Sequence, residues 1–282
     1  MKIYKYNIEL VPEILQIPGM ISINERKFLF QYGLEQYRGL GKIIDLGCWL
    51  GATTISLAAG LSKNLKCGEK NKNVVAYDLF TWDQSYNKHI KGSRFENLKL
   101  YHNIVEIKRD IIKARWTGEK IEFLLIDAMK TPVVTRAIID EFYSCLIRGK
   151  SFVYHQDFDH YLTPWVHILI YLHKPYCKHI HDVSRTGGTV FKVEKSIPKS
   201  VLEIDFMNVD ESFADNAFKF CISIASELKR NGIAAAQVMY YIYQRKFEKA
   251  FIVWTDHLLR NYELSLDFIG VKKIFDKLVL LK

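Results

Sequence analysis

Between residues 43 and 195 short apolar runs alternate with stretches of helical spacing, the pattern of a parallel sheet wrapped by helices. The runs are Ile43–Leu46, Val74–Leu79, Ile104–Lys108, Ile121–Ile126 and Ser151–His155. After them HDVSRTGGTVFKVEK sets a Gly187-Gly188 turn between two β-prone stretches, which reads as a terminal hairpin with an antiparallel strand. The predicted fold is α/β: a doubly wound, mostly parallel seven-stranded sheet. Residues 62–73, SKNLKCGEKNKN, are polar and read as a surface loop before the second strand.

Residues 1–40 read as a helical lead-in. Pro18-Gly19 marks a turn, and Ser22 with Glu25 forms an S-x-x-E capping box opening a helix over Arg26–Gln36. Phe28, Leu29, Tyr32 and Leu34 give that helix its apolar face. Beyond Pro198 the pattern turns wholly helical. Phe218, Cys221, Ile224, Ala225 and Leu228 recur at helical spacing, and Asn231-Gly232 is expected to end that helix. Ala234–Tyr243 and Phe247–Leu259 follow as further helices. The expected organisation is a lead-in over 1–40, a sheet domain over 41–198 and a helical extension over 199–282. The extension packs on the sheet domain, covers the site, or forms a homodimer interface; the sequence leaves these open.

Composition narrows the classes. Hydrophobic residues make up 49% and charged residues 25%, the balance of a soluble globular protein. No apolar run is long enough for a membrane span, and MKIYKYNIELVPE lacks a signal-peptide core. A cytoplasmic location is the expectation. The five cysteines are scattered with no C-x-x-C, so neither a zinc ribbon nor a disulfide frame is indicated. The net charge of +9 comes from dispersed lysines without a dense basic block, which argues for a solvated surface over a nucleic-acid footprint.

The candidate chemistry begins at GKIIDLGCWLG, residues 41–51. A strand ends in Asp45, a loop carries Gly47, Trp49 and Gly51, and a helix opens with Ala52-Thr53-Thr54. Strand, glycine loop and helix is a nucleotide-cradling arrangement. A dinucleotide fingerprint needs glycine where backbone approaches the pyrophosphate, and Trp49 stands there instead. Asp78 closes the second strand, where an acidic side chain accepts from ribose hydroxyls. Asp110 follows the third strand and either accepts from an adenine amino group or caps the next helix. The fourth and fifth strands end in Asp127 and in His155-Gln156-Asp157, aiming acids and a base into one crevice.

The D-x-G-x-x-x-G pattern resembles motif I of class I S-adenosylmethionine-dependent methyltransferases. More pointedly, IIDLGCWLGATT, VVAYDLFTWD, IEFLLIDAMK and LIRGKSFVYHQDFDHYLTPW resemble the macrocin O-methyltransferase-like group over residues 18–198. That resemblance implies S-adenosyl-L-methionine as cofactor and a sugar, glycan or glycosylated small molecule as acceptor. It implies cofactor contacts at Asp45, Gly47, Trp49, Gly51, Thr53, Asp78, Asp110 and Asp127. The group carries I-D-G-D and D-D at its fourth and fifth strand ends, for magnesium and a general base. Here Asp127 and Asp157 match metal positions, Met129 stands where the base would be, and Gln156 replaces a further carboxylate. The resemblance thus leaves Mg2+ at Asp127 and Asp157 open, with Gln156 adding a neutral oxygen; His155 is the expected substitute base, oriented or polarised by Asp157, or Asp157 takes the proton itself, with His160 second. An unperturbed histidine pKa of about 6.5 suits that task. Trp82, Tyr86, Tyr161 and Trp165 either form an aromatic rim that stacks on sugar rings or pack in the core, the commoner use of such residues. The histidines at 155, 160, 167, 173, 179 and 181 are spaced too irregularly for zinc.

Two rival functions stand beside this reading. A nucleic-acid methyltransferase usually carries N/D/S-P-P-Y/F at the fourth strand end, and Asp127-Ala128-Met129-Lys130 is not that motif. The departures at Met129 and Gln156 also allow a non-catalytic interaction protein on the same fold.

Overall fold

A computed structural model describes residues 8–68, 72–80, 96–183, 186–259 and 266–279. The lead-in contributes α1 (Pro12–Gln16) and α2 (Ile23–Gln31). Ser22 caps α2, its Oγ accepting from Glu25 N at 3.2 Å. The reciprocal half of the capping box is replaced, because the Glu25 carboxyl turns inward and accepts from Tyr154 Oη at 2.6 Å. Past Gln31 the helix widens into a π-turn over Tyr32–Gln36, closed by Tyr37 N on Tyr32 O at 3.0 Å. This carries Tyr37 into the core beside β1.

The strands are β1 (Lys42–Leu46), β2 (Val74–Asp78), β3 (Ile104–Lys108), β4 (Ile121–Ile126), β5 (Phe152–His155), β6 (Cys177–Asp182) and β7 (Thr189–Val193). They form one sheet in the order β3-β2-β1-β4-β5-β7-β6. Strands β1 to β5 pair in parallel, and β7 runs antiparallel between β5 and β6. Each expected run lies within a residue of its strand. The helix after β1 is α3 (Ala52–Ser62), that after β4 is α4 (Pro132–Phe142), and that after β5 is α5 (Trp165–His173). β4 is buried along its whole length, as a central parallel strand covered on both faces must be.

The C-terminal part comprises α6 (Lys199–Leu202), α7 (Glu211–Ile224), α8 (Glu227–Tyr243), α9 (Phe247–Leu259) and α10 (Leu266–Val279). The expected helix end at Asn231-Gly232 is wrong. The break lies at Ala225-Ser226, and α8 runs straight through Gly232. Tertiary contacts override the local signal. Ser226 N donates to Asp182 Oδ2 at 2.6 Å, and Lys229 Nζ lies 3.3 Å from Asp182 Oδ1, so the edge of the sheet holds the start of α8. Leu228, expected on the apolar face, is 76% exposed. One hydrophobic core runs from Ile44 and Leu124 of the sheet through Trp165 to Phe218, Val238 and Phe268. Among the described residues no helix is long and apolar enough to cross a membrane.

Two stability predictions follow from these contacts. A Cβ on Gly232 would lie 1.9 Å from Asp159 O, so the helix needs glycine for close approach. Helix propensity alone favours alanine by about 1 kcal/mol. The clash reverses that sign, and Gly232→Ala is expected to lose roughly 1–3 kcal/mol in denaturant unfolding. A variant as stable as the parent removes the close approach. Burial outweighs the Tyr154 hydrogen bond and lifts the Glu25 carboxyl from 4.5 to about 7. A raised carboxyl contributes stability fully present below its unfolded pKa and lost as pH rises through the folded value. The window is therefore pH 4.5 to 7. At pH 8 Glu25→Gln is expected to gain up to roughly 3 kcal/mol over the parent, and the difference closes in acid. An equal or lower midpoint at pH 8 contradicts this.

Candidate active site

β1 connects to β2 on one side and β4 to β5 on the other, so the chain diverges between β1 and β4. Ligands of open α/β sheets bind at that point, outside the carboxyl ends of the strands. The loop leaving β1 is strongly shaped. Gly47 has φ 90°, Trp49 φ 45° and Gly51 φ 87°. A side-chain-bearing residue in this left-handed region costs about 1–2 kcal/mol. Phe80, just past β2, is held the same way at φ 46°. Both strained residues are tied to Asp78: Trp49 N donates to Oδ2 at 2.8 Å and Phe80 N to Oδ1 at 3.1 Å. Gly51 precedes α3, so no cap side chain occupies that helix N-terminus.

Asp45 and Thr53 lie deeper than the sequence suggested. Asp45 is fully buried, and its Oδ2 accepts from Thr53 Oγ1 at 2.7 Å and Thr54 Oγ1 at 2.6 Å. The carboxyl therefore pins the first turn of α3 under the loop instead of lining the crevice. Burial pushes it up to about 6, against both threonine hydrogen bonds. Its Oδ1 has no partner among the described residues. Asp110 takes the capping role, accepting from Ile112 N at 3.0 Å.

At the neighbouring strand ends Asp127 and Asp157 come together around a third residue. Lys130 Nζ lies 2.5 Å from Asp127 Oδ1 and also bonds Asp157 Oδ2. Burial pushes Asp127 up to about 7; Lys130 pulls it back and Asp157 adds to the rise. Burial alone would lower the Lys130 ammonium, but the two carboxylates hold it above its ordinary value. Sequence reasoning passed over Lys130. Its signal was the i,i+3 spacing from Asp127, which usually marks a solvated helix pair.

His155 does not join this group. It shares the buried face of β5 with Val153 and lines a small void with Tyr143, Ile170, His173, Cys177 and Phe191. Burial draws its ring down to about 3, so it stays neutral and is a weak base. The expected catalytic role of His155 is therefore corrected: its side chain enters the layer under α5, not the crevice. Met129 is buried, and its carbonyl accepts from Trp165 Nε1 at 2.9 Å. Trp165 is thus core, not rim. His160 is exposed and stacks on Tyr161, with ring centroids 5.5 Å apart, on the loop that carries Asp157. Trp82 and Tyr86 lie outside the described residues.

The donor set does not fit magnesium. Mg2+ demands an octahedral oxygen shell. Here two carboxylates are already bridged by an ammonium, and no group of three His, Cys, Asp or Glu able to hold a metal occurs among the described residues. Among the described residues the histidines form no such group either.

No family model matches this chain, and no curated protein does. Solved structures are similar to it. One is the apo form of a TDP-rhamnose 3'-O-methyltransferase of calicheamicin biosynthesis: 17% identity, TM-score 0.43, covering 59% of this chain and 76% of that one. Another is a calicheamicin methyltransferase: 14% identity, TM-score 0.42, with the same coverage. A parallel β3-β2-β1-β4-β5 array closed by an antiparallel β7 inside β6 is what the sheet shows. The chain has a doubly wound, seven-stranded, mostly parallel α/β fold.

The Asp127 carboxyl, lifted by burial to about 7, is expected to titrate in a step near neutrality. Lys130 lowers Asp127, so Lys130→Met should move that step upward by about a unit or more. Carboxyl 13C shifts followed against pH measure it; a step that stays put or falls rejects the arrangement.

Proposed function

We propose that this chain is an S-adenosyl-L-methionine-dependent O-methyltransferase whose acceptor is a hydroxyl of a sugar, glycan or glycosylated small molecule. One observation carries the reading: at the sheet's point of divergence, a strained glycine-flanked loop lies against two carboxyls bridged by Lys130, of which burial lifts Asp127 to about 7. The sugar class rests on the resemblance of the strand-end stretches, and the cofactor on the loop and Asp78.

The residues present suit that cofactor. Gly47 and Gly51 bend the loop round the methionine part, and the glycine-capped N-terminus of α3 favours its carboxylate. Asp78 retains acceptor capacity beyond its two backbone donors, enough for ribose hydroxyls. Trp49 bars a diphosphate from the loop. When bound, the cofactor supplies an electrophilic methyl group on a sulfonium. The protein's own contribution is alignment and removal of one proton. The protein would hold the acceptor hydroxyl in line with that methyl group, and Asp127, lifted by burial to about 7, would take the hydroxyl proton as the methyl leaves the sulfonium for the oxygen. The stacked His160 and Tyr161 offer an aromatic surface for a sugar ring beside Asp157. A docking protein without catalysis has no use for a proton acceptor poised in this way.

Calorimetry with S-adenosylmethionine and mass-spectrometric detection of methylated glycans test the reading together. Asp78→Ala is expected to weaken cofactor binding by roughly 1–3 kcal/mol, the cost of stranded donors. Asp127→Asn, which keeps an acceptor oxygen for the expected cofactor contact, should cost little cofactor affinity and lose about 100-fold or more in turnover. A parent protein that binds no S-adenosylmethionine, or an Asp78→Ala variant of unchanged affinity, ends the proposal.

A further inference from the structure

We infer that Lys130 is the built-in cation of this site, standing where a divalent metal would bridge the ends of β4 and β5. The inference rests on reading the crevice as the transfer site, but its test does not use transfer. The two carboxylates come from different strands, and the ammonium joins them. A bridging divalent ion would occupy the same space between the same oxygens. It could enter only by displacing Lys130, because ammonium and metal repel at that separation.

The surrounding residues offer a metal shell no further charged ligand. Ala128 and Met129 offer no side-chain oxygen after Asp127, and the Met129 carbonyl is already bonded to the Trp165 indole. Gln156 precedes Asp157 with a neutral amide in place of a third carboxylate; its buried Oε1 has no hydrogen-bond partner among the described residues, but it brings no charge to compete with the lysine. In their place stands an ammonium of fixed charge with three donors. Asp127 and Asp157 take two. The Lys130 side chain is 51% exposed, so it is reachable by a bound acceptor, and the third donor is left for the acceptor oxygen. Donated there, it stabilises the negative charge that develops as the hydroxyl proton leaves for the carboxylates. The same charge keeps the two acids together before any ligand arrives.

The test is a Mn2+ titration read by the electron paramagnetic resonance signal of free ion, on the full chain without cofactor. The parent is expected to bind no Mn2+ up to millimolar concentration. Lys130→Met vacates the bridge and should bind Mn2+ at least tenfold more tightly. Lys130→Met combined with Asp157→Asn should lose that binding, and Lys130→Arg, which keeps a cation, should not acquire it. Half-exposed Lys130 can be replaced without opening the core. Tight Mn2+ binding by the parent, or no gain in Lys130→Met, overturns the inference. Failure of methyl transfer or cofactor binding leaves these readings intact, so the two proposals fail separately.

Discussion

The crevice depends on how closely the ends of β1 and β4 approach one another. Gly47 N donates back to Tyr77 O at 2.9 Å, and Asp127 N donates across to Leu46 O at 2.9 Å. A Cβ on Gly47 would meet the Asp127 backbone at 3.2 Å. The loop from β1 therefore crosses directly over the end of β4, at a φ that a side chain disfavours. Below it, Asp45 fixes the first turn of α3 through two threonine hydroxyls. Strain above and a buried tie below leave the loop little freedom. Such strain persists only where the surroundings over-determine it, and it gathers at sites that must be shaped before a ligand comes.

The sheet was legible because each strand is a short apolar run set off by turn residues, and a fully buried strand such as β4 leaves no ambiguity of length. The same reasoning failed at Asn231-Gly232. Local chemistry there is a good helix stop, but the side chain missing from Gly232 serves a contact with Asp159 O across the fold. The true break at Ala225-Ser226 carries only a weak local signal, since its partner Asp182 lies 44 residues earlier. Distance in sequence hides such partners.

The same limit governs the site. Asp78, Asp127 and Asp157 were readable as strand ends, since parallel strands deliver their last residues to one edge. His155 was misread, although strand alternation held the warning: it shares its face with Val153, an apolar neighbour that belongs under α5. Lys130 was missed for the opposite reason. Beside Asp127 it looks like an ordinary i,i+3 surface pair, and only the arrival of Asp157 from the next strand makes it a bridge.

The helical C-terminal part belongs to this argument because it holds the loop bearing Asp157. α8 touches that loop at Asp159 O through Gly232, and α10 packs against Tyr161 at Gly270. Lys229 of α8 reaches Asp182 and the Gly188 carbonyl at the sheet edge, buried to 2% exposure. A buried ammonium is tolerated only when paired and hydrogen-bonded, so this contact fixes α8 in one position. The loop between β5 and α5 is then clamped from the side that carries no parallel strand. Asp127 stands on the central sheet and needs no such support. Asp157 stands on a loop, and its distance from Lys130 is set by helices that begin more than fifty residues later in the chain. The spacing of the two acids is thus a property of the whole core, from Ile44 to Phe268, and not of the strand ends alone.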